Sequence, residues 1–262
     1  MLQNDNKAIV RKLARHGIRT NFRKYLVMFL AVVLSAFMLF SVLTVGATYF
    51  AMWKRQNIRL NGARFDAIMY GCTDAQMQKL KQNADITDIG ELALAGYLDE
   101  TEKNTMADTS MAWVNDTYWN KMQAPAKTSV KGTYPTKENE VMVTPEALKE
   151  CGLSGYGIGD SFWIKWTDDA GNAHKTDVTI CGIWDGYGTK NMFYVSKGFY
   201  DRTGRSIDKV SSGRILLNFR QKILSQKKQQ QFIDGMKLGK QQRIFFTTTL
   251  GYSLPIYMGF WC

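Results

Sequence analysis

The stretch "RKYLVMFLAVVLSAFMLFSVLTVGATYFAMWKR", from Arg23 to Arg55, decides the architecture of this chain. Between Lys24 and Lys54 it contains no charged residue, and large apolar side chains occur all the way round a helical repeat. A helix of about 20 apolar residues crosses a hydrocarbon core of about 30 Å. The sequence therefore predicts a membrane-spanning helix at residues 25–53.

Two other interpretations of this stretch were weighed against the membrane span. The core helix of a soluble domain is usually shorter and keeps a polar face, which this stretch lacks. A cleaved signal peptide is the stronger alternative, because Val45-Gly46-Ala47 offers small residues at a cleavage position. However, the basic leader is long, and the apolar region exceeds the roughly 7–15 residues of a signal peptide. We therefore favour an uncleaved signal anchor.

The formal charge of +11 is unevenly distributed along the 262 residues. Residues 1–24 hold seven Lys or Arg against one Asp, and residues 54–64 add four basic residues. Residues 65–213 hold 15 basic against 21 acidic residues, whereas residues 214–262 hold eight against one. No module combines a basic face with interleaved aromatic residues, so the sequence predicts no nucleic-acid partner.

The basic leader predicts the orientation of the span. Because positive charge is enriched on the cytoplasmic side, residues 1–24 are expected to form a cytoplasmic arm and the remainder to lie outside. Lys54 to Arg64 carry positive charge on the other flank, which opposes this assignment. Ile9, Leu13 and Phe22 alternate with basic residues, which is typical either of an amphipathic helix on lipid or of a solvated leader. Residues 54–64 are predicted to continue the helix as a stalk toward Leu60.

The rest of the chain predicts an α+β domain at residues 65–243, because strand and helix patterns alternate without regular βαβ spacing. In "ENEVMVTPEALKECGL", Val141 to Val143 form a strand, Thr144 caps a helix with Pro145 at its first position, and Gly152 ends it. Asp168 to Gly171 predict a hairpin turn. Residues 244–262 are predicted to be an apolar, truncated and poorly ordered tail. Further strands and helices are predicted in "RFDAIMYG", "TDAQMQKLKQN", "ITDIGELALAGYLDE", "TSMAWVND", "DTYWNKM", "DSFWIKW", "HKTDVTICGIWDG", "NMFYVS", "KGFYDRTG", "GRILLNF" and "KKQQQFIDGMKL".

Catalytic, metal and redox motifs are not recognised. No GxSxG, HExxH or phosphate-binding loop is present, and the glycines of "GYGIGD" are wrongly spaced for a dinucleotide site. His174 follows a turn and is expected to be exposed, and the acidic residues at 99–102 and 168–169 lack calcium-loop spacing. Cys151 and Cys181 either pair or remain as buried thiols. We expect no catalytic, cofactor-binding or metal-binding residue. The tryptophans, predicted to form the core or an interface, are Trp53, Trp113, Trp119, Trp163, Trp166 and Trp184.

Three stretches carry a resemblance to a known family. They are "LARHGIRTNFRKYLVMFLAVVLS" at residues 13–35, "NEVMVTPEALKECGLSGYGIGDSFWI" at residues 139–164, and "VTICGIWDG" at residues 178–186. Together with the order of elements, the chain resembles the FtsX-like, MacB-type permeases of ABC transporters. The resemblance implies an N-terminal transmembrane helix followed by a mixed α/β extracytoplasmic MacB-like core domain. The later transmembrane helices of that family are missing from this sequence.

The resemblance also implies a function and partners. The chain would be a permease subunit, or its N-terminal fragment, in the cell membrane, with its outer domain contacting substrate or partner in export or sensing. ATP hydrolysis would belong to a separate ATPase subunit, and membrane lipids and a homo- or heterodimeric permease partner are further expected contacts. The rival hypothesis is a single-pass anchored binding or regulatory protein. An envelope hydrolase is the weakest hypothesis, because no catalytic motif is recognised.

Overall fold

The structure is a computed structural model that describes residues 7–107, 109–187, 191–221, 225–248 and 251–253. The chain divides into two compact units, Met1–Trp53 and Lys54–Cys262. The first unit contains helix α1, Lys7–Thr20, and most of helix α2, Phe22–Asn61. The predicted helix at residues 25–53 and its helical continuation toward Leu60 are therefore confirmed as one 40-residue helix.

The second unit is a sheet domain whose described residues include four α-helices, and the predicted α+β fold is confirmed. Its helices are α3 (Asp74–Gln82), α4 (Pro145–Glu150), α5 (Lys197–Arg202) and α6 (Gln226–Met236). A π-helix, Tyr118–Met122, and a 3₁₀ turn, Ala124–Ala126, lie between strands. The strands are β1 (Ala67–Tyr70), β2 (Ile86–Thr101), β3 (Thr109–Val114), β4 (Lys127–Gly132), β5 (Glu140–Val143), β6 (Ser161–Thr167), β7 (Ala173–Gly186), β8 (Met192–Val195), β9 (Gly213–Phe219), β10 (Arg243–Thr248) and β11 (Gly251–Ser253).

The described strands form one mixed sheet in the order β11-β10-β1-β9-β2-β3-β8-β5-β7-β4, with β6 pairing β2 and β7. Most pairs are antiparallel, whereas β3 with β8 and β5 with β7 are parallel. Strand β2 has 16 residues and pairs β9 with its first half, β3 with its centre and β6 with its end. Its register shifts near Gly96, which has a φ of 142° that a side chain would strain.

Local sequence signals position the helices as predicted. Thr73 and Gln76 form a capping box at the start of α3. Thr144 Oγ1 accepts from the Ala147 amide at 3.1 Å, and Pro145 occupies the first turn of α4. These contacts satisfy amides that have no partner within the helix, so each helix begins where its capping residue stands.

Three clusters of buried side chains form the core. The largest lies under β6, β7 and α4, and includes Phe162, Phe193 and Phe199. A second, aromatic cluster surrounds Trp119 and Trp184. The third lies between the β1, β9 and β10 strands and the α3 and α6 helices. Because apolar burial is the main favourable term in folding, these clusters hold the three parts of the sheet together.

The predicted end of the core domain at residue 243 is wrong. Strand β10 pairs with β1 in the register Ile244 opposite Met69, and the side chains of Ile244 and Phe246 are buried in the third cluster. The apolar residues after Arg243 therefore complete the core because they supply a strand to the open edge of β1. Apart from β11, the remainder of the predicted tail, residues 249–250 and 254–262, lies outside the described residues.

The role of β10 predicts that Ile244→Ala destabilises the outer domain. Ile244 is fully buried, so the substitution removes apolar contacts and leaves a cavity that costs about 2–4 kcal/mol of unfolding free energy. The measurement is denaturant unfolding of the detergent-solubilised chain, followed by tryptophan fluorescence. Met106→Ala is the matched control, because Met106 is 85% exposed and its loss should cost less than about 0.5 kcal/mol. Equal stability of the two variants would contradict the placement of β10 in the core.

Candidate membrane anchor and domain surface

The apolar part of α2 has no protein partner in the structure. Among the described residues, α2 is the helix long and apolar enough to cross a membrane, and none of its residues is buried. Two of the hydroxyl side chains in the apolar stretch donate inside the helix, Ser35 to the Ala31 carbonyl and Thr44 to the Phe40 carbonyl, each at 2.8 Å. The surface of this segment is therefore mainly apolar, and these two hydroxyls are satisfied within the helix, as hydrocarbon favours.

Helix α1 is amphipathic, and the choice between a helix on lipid and a solvated leader stays open. Ile9, Val10 and Leu13 are more than half exposed and lie on one side of the helix, while arginines and lysines occupy the other. One residue, Asn21, separates α1 from α2, and its amide donates to the Gly17 carbonyl at 3.1 Å. An apolar stripe bordered by basic side chains is the surface that binds at a lipid interface.

The stalk end of α2 is fastened to the outer domain by an arginine. The Arg59 guanidinium lies 4.0 Å from the ring centroid of Tyr187, and its Nη2 donates to the Tyr187 hydroxyl at 3.3 Å. Beyond the helix, the Arg64 amide donates to the Met122 carbonyl at 2.7 Å. Sequence reasoning missed this contact, because Arg59 and Tyr187 are 128 residues apart and neither stands in a motif.

The acidic groups considered as calcium sites are structural. The Asp168 carboxylate contacts His174 Nε2 at 2.9 Å and accepts from the Asn172 amide at 2.8 Å, and the His174 contact is the main reason why its pKa is lowered. Asp169 is paired with Lys209 across the same turn. His174 is exposed on its strand, as predicted, and stacks on Trp166.

The residues at 99–102 are likewise bound within the domain. Asp99 accepts from the Thr167 hydroxyl at 2.7 Å, Glu100 pairs with Lys165 at 3.5 Å, and Glu102 accepts from the Tyr156 hydroxyl. Among the described residues, no group of three or more His, Cys, Asp or Glu could hold a metal ion. These carboxylates therefore stabilise turns and strand pairs of the described domain.

The cysteines in the described part of the outer domain are free thiols. Burial raises the pKa of Cys72 to about 12 and that of Cys181 to about 11. Cys151 is fully buried, and its Sγ lies 3.5 Å from the Thr109 hydroxyl. The open choice between a Cys151–Cys181 disulfide and buried thiols is thus decided for thiols in this structure. Cys262 lies outside the described residues.

Three of the six tryptophans considered belong to the core, and the others lie nearer the surface. Trp119, Trp166 and Trp184 are buried, whereas Trp53 is exposed and Trp113 and Trp163 are half-buried. Lys127 Nζ lies 3.5 Å from the Trp119 ring centroid and donates to the Trp119 carbonyl. Burial lowers the pKa of Lys127 to about 8. This aromatic cluster fixes the start of β4 against the sheet.

A polar cleft of about 380 Å³ lies between the end of α3, the start of β2 and the π-helix. Lys121 and Asp88 form an ion pair across it at 2.8 Å, and Asn115 bonds to the backbone of Ile89 and Glu91. Beside the cleft, Gly90 is closely packed, because an added Cβ would lie 2.4 Å from the Met122 sulfur. Glu91 accepts from the Asn115 side chain at 3.4 Å, and Lys81 lines the same cleft without an ion pair to another described residue.

No family model and no curated protein matches this sequence. Among solved structures, the chain is similar to the periplasmic region of MacB from Actinobacillus actinomycetemcomitans, at 9% identity and a TM-score of 0.49, covering 71% of this chain and 91% of that one. It is also similar to the extracellular domain of the noncanonic ABC-type transporter YknZ from Gram-positive bacteria. There the identity is 8% and the TM-score 0.43, covering 69% of this chain and 99% of that one.

The free thiols predict that reductant leaves the fold unchanged. Thermal melting of the detergent-solubilised chain should give the same midpoint with and without reductant, because a domain of this size has a sufficient core. In the native chain at pH 8, Cys72 and Cys151 should resist iodoacetamide, since both are buried and burial raises both pKa values. The unfolded chain, as control, should react at both positions. A disulfide-linked peptide containing Cys151 and Cys181, or loss of folding in reductant, would contradict the assignment.

Proposed function

We propose that this chain is an anchored subunit of an FtsX/MacB-type ABC transporter permease, whose outer domain contacts a substrate or partner in export or sensing at the cell envelope. One observation carries the proposal. An uncharged helical segment with no buried residue continues without a break into the first residues of an α+β domain. The three stretches that resemble this permease family support the assignment.

The anchor part of the proposal rests on the surface of α2. The uncharged segment from Tyr25 to Trp53 is longer than the roughly 20 residues that a bilayer requires. Exposing so many large apolar side chains to water would be unfavourable, and lipid is the environment that accepts them. The basic arm at residues 1–24 then lies in the cytoplasm and the core domain outside the cell membrane.

The outer domain acts in this proposal as a contact surface and not as an enzyme. The acidic groups at residues 99–102 and 168–169 are held in turns and ion pairs, and the described thiols are buried or raised in pKa. The Arg59–Tyr187 contact ties the stalk to the domain, so a displacement of α2 reaches the sheet through a defined pair of side chains. The ATP hydrolysis that would drive such motion belongs to a separate ATPase subunit.

The proposed partners follow from the limits of one span. A single helix can anchor, but a conduit requires several elements that satisfy polar groups across the bilayer. Transport would therefore need a second permease, identical or different, together with the ATPase, and this chain alone would neither transport nor couple to ATP. Membrane lipids contact α1 through its apolar stripe and basic side chains.

The second candidate is a single-pass anchored binding or regulatory protein. It is favoured by the observation that, in the described residues, one helix is suited to crossing a membrane. The two functions share the anchor and the outer domain but differ in their partners. An ATPase frame with a Walker motif beside the gene supports the permease, and its absence favours the second candidate.

The experiment that tests the proposal uses co-expression of the chain with the neighbouring ATPase and a second permease. Pull-down in detergent through a tag on this chain should recover both partners, and the complex should hydrolyse ATP. The chain with the ATPase alone is the control, and it should show neither stoichiometric capture nor stimulated hydrolysis. Failure to recover any partner would contradict the permease, whereas stimulation by this chain alone would contradict its inability to couple.

A further inference from the structure

Basic side chains from distant parts of the sequence gather where the stalk joins the outer domain. The chain enters the sheet through residues 64–66, where the Asp66 amide donates to the Leu217 carbonyl and the Asp66 carboxylate accepts from the Phe219 amide. We call this end of the sheet the stalk end. Arg220, whose amide donates to the Asp85 carbonyl at 2.8 Å, follows directly.

Helices α3 and α6 each direct one end toward the same place. Helix α3 starts after the far end of β1 and returns to β2, so its last turn with Lys81 lies beside Ile86 and Lys121. Gln76 Nε2 donates to the Met236 carbonyl and to Gln242 Oε1, which fixes the end of α6 at the start of α3. Phe232 of α6 contacts the Phe219 ring at the stalk end, with 5.4 Å between ring centroids. The helix, about 16 Å long, therefore runs from the stalk end, where its first turn lies, to the start of α3.

The exposed charges at the stalk end are mainly positive. We call five exposed residues the basic rim: Arg64, Lys81, Arg220, Lys227 and Lys228. None of them forms an ion pair with another described residue. Of the acids there, Asp66 accepts from the Phe219 amide, Asp88 is paired with Lys121 and Glu91 accepts from the Asn115 side chain. Asp85 and Asp116 are exposed.

The position of Lys227 and Lys228 is not explained by the stability of α6. Both stand in the first turn of the helix, which contains no acidic residue. A cation at a helix N-terminus is opposed by the helix dipole, which favours acidic residues there. Their charge is therefore available to something outside the domain.

We propose that the basic rim binds the anionic phospholipid headgroups of the bilayer in which α2 is anchored. The inference rests on the proposed anchor. Eight residues of helix, or about 12 Å, separate Trp53 from the end of α2 at Asn61, and Lys54 and Arg55 add positive charge on the stalk. Charges interact over a Debye length of about 8 Å at physiological ionic strength. Extended lysine side chains shorten the distance between the rim charges and the headgroups toward that length.

The test compares lysine reactivity of the full chain in nanodiscs of phosphatidylcholine alone and with phosphatidylglycerol. Amine acetylation read by mass spectrometry should be at least threefold slower at Lys81, Lys227 and Lys228 in the anionic nanodiscs at low salt. High salt should remove the difference, because the attraction is screened. Lys149 and Lys175, exposed elsewhere on the domain, are internal controls and should react equally in both.

Matched charge reversals separate a headgroup contact from general crowding at the membrane. Lys227→Glu with Lys228→Glu should abolish the protection of Lys81, whereas Lys149→Glu with Lys175→Glu should retain it at an unchanged melting temperature. The rim inference is overturned, and the anchor left intact, if the three rim lysines are acetylated at the same rate in neutral and anionic nanodiscs. This holds whether that common rate is fast, as in an exposed lysine, or slow, as in a lysine that any bilayer shields. A chain that does not co-elute with nanodiscs overturns both the anchor and the rim.

Discussion

The constraint on which the rest of the structure depends is the uncovered apolar surface of α2. A soluble domain would bury such a surface against its own side chains, but here every residue of the helix is exposed or half-buried. The helical backbone satisfies its own polar groups, and the Ser35 and Thr44 hydroxyls donate hydrogen bonds to backbone carbonyls one turn earlier. In the proposed function hydrocarbon covers this surface, so that lipid would take the place that a protein core takes in a soluble domain.

The structure of the outer domain depends on a different constraint, which is that one long strand must connect the parts of the sheet. Strand β2 contacts β9, β3 and β6 in succession, so its 16 residues connect the parts of the sheet that cover the three buried clusters. The ends of α3 and α6 are fixed by polar contacts, among them the buried reciprocal amide pair of Gln76 and Gln242. Buried amides with complete hydrogen bonding set one arrangement over others. A surface of fixed shape beside a short stalk suits recognition of a partner.

Local chemistry accounts for what the sequence predicted. Thr144 and Pro145 predict the start of α4, and Asp168 to Gly171 predict the β6–β7 hairpin, because caps and turns depend on neighbouring residues. Long-range pairing accounts for the errors. Strand β10 looked like an unpaired tail, since nothing near Ile244 shows that β1 leaves an open edge for it. Strand β4, Lys127–Gly132, was missed because its exposed, polar side chains give no alternation.

The candidate surfaces were predictable to a smaller extent than the fold. The anchor is visible in composition alone, and so is the amphipathic character of α1. The Arg59–Tyr187 contact and the gathering of Lys81 with Arg220 and α6 depend on topology, which composition does not encode. Single charged residues in loops do not form a recognisable sequence motif. Strand pairing brings them together, so their grouping is seen only in the folded structure.

The most direct measurement of the central claim is the fate of α2 in cells. Spheroplasts expressing the chain with an N-terminal tag would be treated with protease, and the membranes then extracted with alkaline carbonate. The account predicts that protease removes residues beyond about 60, that the tag stays protected, and that the tagged fragment remains in the carbonate-washed membrane. A mature protein that begins at Thr48, or a full-length chain released by carbonate, would contradict an uncleaved anchor.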